Sequence, residues 1–228
     1  GVVEGVWGEQ LSPIVAQTLH RVVRRARSLR DVYANVEGAR ARKAIEKLDE
    51  LFEEQKKYFE EAIDSIVKEF QLPEKDKNEL IEFKNVCIRL LESAYKQARE
   101  RLEKLVHSLE RSELAVVQRR KVLRVYPLGQ PWFVTAHFRD CWLFSMSVKV
   151  HGKAKFPDLK LPRDAVELLQ AGWRASDECD SGGKPAMTTT HADQLLAWAS
   201  VRYGSLRIWI DAVNLNKRGP TIVWSARA

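Results

Sequence analysis

The sequence predicts an α+β fold: a long antiparallel helical hairpin followed by a small mixed α+β domain with a mostly antiparallel sheet. Three observations carry this. Residues 36–111 keep a helical apolar stripe on either side of a single proline, Pro73. After Ser112 the pattern changes to short runs rich in Val, Phe, Trp and Thr, the residue types that pack well in strands. Charge and aromatics also divide: residues 1–120 hold 23 Lys+Arg against 22 Asp+Glu, whereas residues 121–228 hold 15 against 9 and six of the seven tryptophans. We therefore divide the 228 residues into a basic amphipathic segment (1–35), the hairpin (36–116) and the α+β domain (117–228).

In the first segment, Arg21, Arg24, Arg25, Arg27 and Arg30 alternate with Leu19, Val22, Val23, Ala26 and Leu29, a pattern suited to phosphates or an anionic surface. The first long helix runs from Val36 to Phe70. Ile45, Leu48, Phe52, Phe59, Ala62 and Ile66 fall on a heptad-like stripe, with Gln55 in its one polar slot. Pro73 breaks it and starts a second helix over 74–111, striped by Leu80, Cys87, Leu91, Ala94, Ala98, Leu102, Leu105 and Leu109. The short connection makes the pair antiparallel.

Strands are expected in "KVLRVYPLG" and in "PWFVTAHFRDCWLFSMSVKVHG", bounded by Pro127–Gly129 and by His151-Gly152. "FPDLKLP" is a loop. "RDAVELLQAGWRAS" is a helix with Ala165, Leu168, Leu169 and Gly172 on one face. "KPAMTTT" is a short strand. "HADQLLAWASVRYG" is a helix with Thr190 as N-cap and Gly204 just past its end. "SLRIWIDAVN" and "PTIVWSAR" form a final hairpin with basic residues at its tip.

The bulk numbers exclude several classes. No run approaches the roughly 20 apolar residues that span a bilayer. The three cysteines, Cys87, Cys141 and Cys179, lie far apart, so neither a disulfide framework nor a zinc site is expected, and a cytoplasmic setting follows. The net charge of +7 is a mild bias toward polyanions. No phosphate-binding glycine loop, HExxH or GxSxG motif is present.

The stretch "LLQAGWRASDECDSGG" ends a helix in acids. "AGWRASDE", "MTTTHADQLLAWASVRYG" and "LRIWIDAVNL" together resemble the Pa-Rep proteins, a multicopy repeat family of hyperthermophilic crenarchaea, in particular their second type, b subfamily. The likeness covers roughly residues 165–228 and brings no established biochemistry. "LLQAGWRASDE" is also similar to the LAGLIDADG helix of homing endonucleases. That resemblance implies a metal-holding, catalytic Asp177 with Mg²⁺ beside a scissile phosphate. Glu178 in place of glycine and Arg174 in place of an acid depart from the pattern. The plainer reading makes Ser176, Asp177, Glu178 and Asp180 a polar loop turning at Gly182-Gly183.

Three functions compete. The leading one is a nucleic-acid-associated repeat-element protein, with no enzymatic role, that contacts DNA phosphates through Lys149, Lys153, Lys155, Arg207, Lys217 and Arg218. The alternative is a non-enzymatic scaffold that forms a homodimer through the hairpin. The third is a metal-dependent DNA endonuclease centred on Asp177, the one reading that needs a cofactor. A membrane partner is not expected in any of them.

Overall fold

The computed structural model describes residues 39–111, 113–119, 122–137, 144–216 and 219–228. The basic segment 1–35, Cys141 and the Lys217-Arg218 tip lie outside the described residues. Within the described chain, helices α1 (Ala39–Glu69) and α2 (Glu74–Glu110) precede strands β1 (Leu114–Arg119), β2 (Val122–Pro127), β3 (Val134–His137) and β4 (Phe144–Phe156). Then follow α3 (Arg163–Ala175), β5 (Glu178–Asp180), β6 (Pro185–Thr189), α4 (Ala192–Val201), β7 (Gly204–Asn216) and β8 (Gly219–Arg227). The strand order is β1-β2-β3-β4-β7-β8-β6-β5, and the registers from β1 to β4 and from β5 through β6 to β8 are antiparallel. The α+β class and the helical hairpin are as the sequence predicts. No described helix is long and apolar enough to cross a membrane.

The chain divides into two compact units, each assembled from separated segments. One comprises residues 1–48, 98–147 and 214–220, and the other 49–97, 148–213 and 221–228. Strands β4, β7 and β8 pass through both.

In the first unit β1, β2, β3 and the start of β4 form a meander, with Val125, Val134 and Met146 buried. The Arg101 side chain donates to the Ser147 carbonyl and lies 5.6 Å from the Trp132 ring centroid. Arg124 sits 4.7 Å from the ring of Phe133. Strand β1 was not expected from sequence. Its run "LAVVQR" adjoins a basic cluster and carries only weak alternation, and its pairing with β2 supplies the backbone partners that make it a strand.

In the second unit the hairpin packs on the sheet. On α1, Phe52, Phe59 and Ile63 are buried, so the stripe follows a straight helix rather than the heptad that placed Ala62 and Ile66 inside. The polar slot has a partner: Trp224 Nε1–H donates to Gln55 Oε1 at 2.8 Å, while the Phe59 and Trp224 rings meet at 5.4 Å. Helix α2 buries Leu80, Cys87, Leu91 and Ala94 as expected, and also Phe83, Val86 and Leu90 on a second face. That face meets β4, where Phe156 stands edge-on to Phe83 at 5.0 Å.

Four local expectations are corrected. His151-Gly152 does not end a strand, because β4 continues to Phe156. Gly152 is there for close approach: a Cβ would lie 2.7 Å from Val86 Cγ1. The expected apolar face of α3 is not buried. Leu168 is 74% and Leu169 48% exposed, and the helix is held by part-buried residues and by Gln170 Nε2–H to the Val201 carbonyl at 2.6 Å. The N-cap of α4 is His191 rather than Thr190, and the turn is tied instead by Thr189 Oγ1, which accepts from the His191 N–H at 3.1 Å. Gly204 opens β7 at φ 103° instead of closing α4, whose C-cap is Arg202.

Candidate functional site

Strands β4 and β7 are neighbours, and in the second unit they alternate cleanly. Val148, Val150, Ala154 and Phe156 are buried, and so are Leu206, Ile208 and Ile210. Side chains of the opposite parity are open to solvent: Lys149, His151, Lys153 and Lys155 on β4, and Ser205 and Arg207 on β7, are exposed, while Trp209 on β7 is part-exposed. Four of the six cations selected from sequence thus gather on one open face. Lys217 and Arg218 lie outside the described residues.

Two aromatic side chains complete this face. The His151 imidazole and Trp209 indole are stacked, with centroids 6.1 Å apart and planes 29° from parallel. Sequence reasoning missed this pair. His151 read as a strand boundary, and tryptophans read as core, which does hold for Trp198 and Trp224 at 0% exposure. The signal available was the spacing Lys149, His151, Lys153, Lys155, a period of two that runs straight through Gly152.

The charge of the face is mainly positive. Lys155 reaches Glu79 at 3.9 Å. Lys149, Lys153 and Arg207 have no ion pair among the described residues. The carboxylate on the same face, Asp211, accepts from Ser225 Oγ–H at 2.6 Å, and Ser225 Oγ is 2.9 Å from Thr188 Oγ1. Beside the row an open groove of about 680 Å³ is lined by Lys75, Lys153 and Lys155 together with Glu79 and Glu82. Lys153 and Lys155 thus have the Glu79 and Glu82 carboxylates on one side, and the stretch with Lys149 and Arg207 is the more purely cationic part of the face. Lys149 itself adopts φ 49°, a left-handed conformation that is strained for a side chain with a Cβ.

The acidic stretch after α3 is arranged differently. Ser176 Oγ–H donates to the Gly172 carbonyl at 3.0 Å, and Asp177 is exposed in the turn. Asp180 Oδ1 accepts from the Gly183 N–H at 2.7 Å, with Gly182 and Gly183 at φ 63° and 74°. Glu178 is not part of an open loop. It lies on β5 with its side chain 5% exposed, and accepts from Arg202 Nε–H and Nη2–H at 2.8 and 2.7 Å and from Trp198 Nε1–H at 2.9 Å. All its strong contacts are internal, so its role is to fasten β5 to α4. Among the described residues no three His, Cys, Asp or Glu side chains converge as metal ligands, around Asp177 or elsewhere. Cys87 is fully buried, and burial pushes its thiol well above the ordinary range.

No protein-family model, curated protein or solved structure matches the chain.

Proposed function

We propose that this protein associates with nucleic acid through the open face of β4 and β7. One observation carries the reading: Lys149, Lys153, Lys155 and Arg207 share a solvent-facing sheet surface with a stacked His–Trp pair. Cations placed two residues apart on a strand sit about 6.7 Å apart, a spacing that lets neighbouring side chains follow a sugar–phosphate backbone. The surplus of six positive charges after residue 120, from 15 Lys+Arg against 9 Asp+Glu, acts in the same direction. The likeness of residues 165–228 to Pa-Rep proteins adds a repeat-element origin to the proposal, and the three dispersed cysteines add a reducing, cytoplasmic setting.

The scaffold reading is less favoured. In the second unit the hairpin spends Phe59 and Phe83 against the sheet of its own chain, which leaves less apolar surface for a twin. The nuclease reading has only the exposed position of Asp177 in its support.

The test is fluorescence anisotropy of the full chain with labelled oligonucleotides across a salt series. Contacts from these four cations give a slope of log Kobs against log salt of about −3 to −4. The double substitution Lys153→Gln/Arg207→Gln lowers that slope by about 1.4 to 1.8. Absence of binding at low salt, or a slope that the double variant leaves unchanged, overturns the proposal.

A further inference from the structure

We infer that the nucleic acid recognised by the β4–β7 face is single-stranded, with bases stacked on the Trp209–His151 pair; this rests on the nucleic-acid reading above. An isolated part-exposed tryptophan in a strand has no need of a polar neighbour. Here the indole is instead paired with an exposed imidazole in the middle of a cationic row, with Lys149 and Lys153 flanking His151 on one strand and Arg207 preceding Trp209 on the next. That arrangement offers an aromatic surface at the centre and charge around it. A duplex presents phosphates but keeps its base faces stacked inside, so it engages the cations and leaves the aromatic pair unused. A single strand engages both: its phosphates meet the lysines and Arg207, and its unstacked bases extend the His–Trp stack.

Competition anisotropy on the full chain separates the alternatives, using an oligo-dT single strand, an oligo-rU single strand and a mixed-sequence duplex. The inference requires oligo-dT to bind more tightly than the duplex. It also requires Trp209→Leu to weaken oligo-dT binding by about 5- to 100-fold while duplex binding stays within about twofold. Trp209→Phe, which keeps an aromatic face, restores most of the affinity. His151→Ala, at an exposed position, repeats the test should Trp209→Leu lose its far-UV circular dichroism. Equal or tighter duplex binding that still depends on Lys153 and Arg207 overturns the single-strand inference and leaves the nucleic-acid reading standing. Oligo-rU carries the same phosphates and stackable bases and is required to outbind the duplex as well; a duplex that outbinds both single strands overturns the inference. Failure of all three probes to bind overturns both readings.

Discussion

Removing the Glu178 carboxylate is expected to be among the most damaging single changes in the second unit. Its oxygens take two hydrogen bonds from Arg202 and one from Trp198, and the Arg202 and Glu178 side chains are only 10% and 5% exposed. Glu178→Ala leaves a guanidinium desolvated and without its counter-charge, a loss of about 3–5 kcal/mol. It also orphans the Trp198 indole N–H, worth about 1–3 kcal/mol alone. Members of one network do not add fully, so about 4 kcal/mol is expected for the single variant. In a domain of this size that lowers the melting temperature by about 8–16 °C. Replacing both partners, as in Glu178→Leu/Arg202→Met, removes the stranded charge and recovers at least about 2 kcal/mol relative to Glu178→Ala. Urea unfolding followed by circular dichroism measures this through the midpoint at constant m-value. A Glu178→Ala variant within about 1 kcal/mol of the parent, or a double variant no better than the sum of its singles, would refute the reasoning.

Three further outcomes are expected. Gly152→Ala forces a methyl to 2.7 Å from Val86 Cγ1 and destabilises by about 1–3 kcal/mol, and Val86→Ala in the same chain relieves part of that loss, as chemical denaturation will show. Lys149→Gly removes the strain of φ 49° and raises stability by up to about 1 kcal/mol, while it weakens oligonucleotide binding; thermal melts and anisotropy on the same preparation should move in opposite directions. Asp158 accepts from both the side-chain ammonium and the backbone N–H of Lys160, and these bonds hold its carboxyl below the usual range. Its folded pKa is depressed, so its contribution is present above the unfolded value of about 4 and fades as pH falls through the folded one. The melting-temperature gap between the parent and Asp158→Asn is therefore small near neutrality, because the site is exposed, and closes in acid.

The long-range order of the chain was legible where one periodicity ran for many residues. Helices α1 and α2 end within a few residues of the positions that Phe70, Pro73 and Arg111 mark, because a stripe repeated over eight or more turns outweighs any local signal. The cations of the candidate face were legible for a related reason: charge excess survives in composition even when its arrangement is unknown. Short elements were not. Strands β1 and β5 have six and three residues, and they exist because β2 and β6 supply hydrogen-bonding partners. A glycine reads as a turn until the neighbour that needs its missing Cβ is known, and at Gly152 that neighbour is Val86, 66 positions earlier in the chain.

The sequence by itself determined the α+β class, the antiparallel hairpin, most strands and the basic bias after residue 120, since each follows from patterns of side chains near one another in the chain. Tertiary structure alone decided that Lys153 and Arg207 share a face, that His151 stacks on Trp209, and that Glu178 is buried against Arg202 rather than exposed beside Asp177. Those facts depend on which strands become neighbours. Strand pairing joins residues tens of positions apart through backbone hydrogen bonds that look alike for every residue, so the partner is chosen by the packing of the whole unit and not by any short stretch of its sequence.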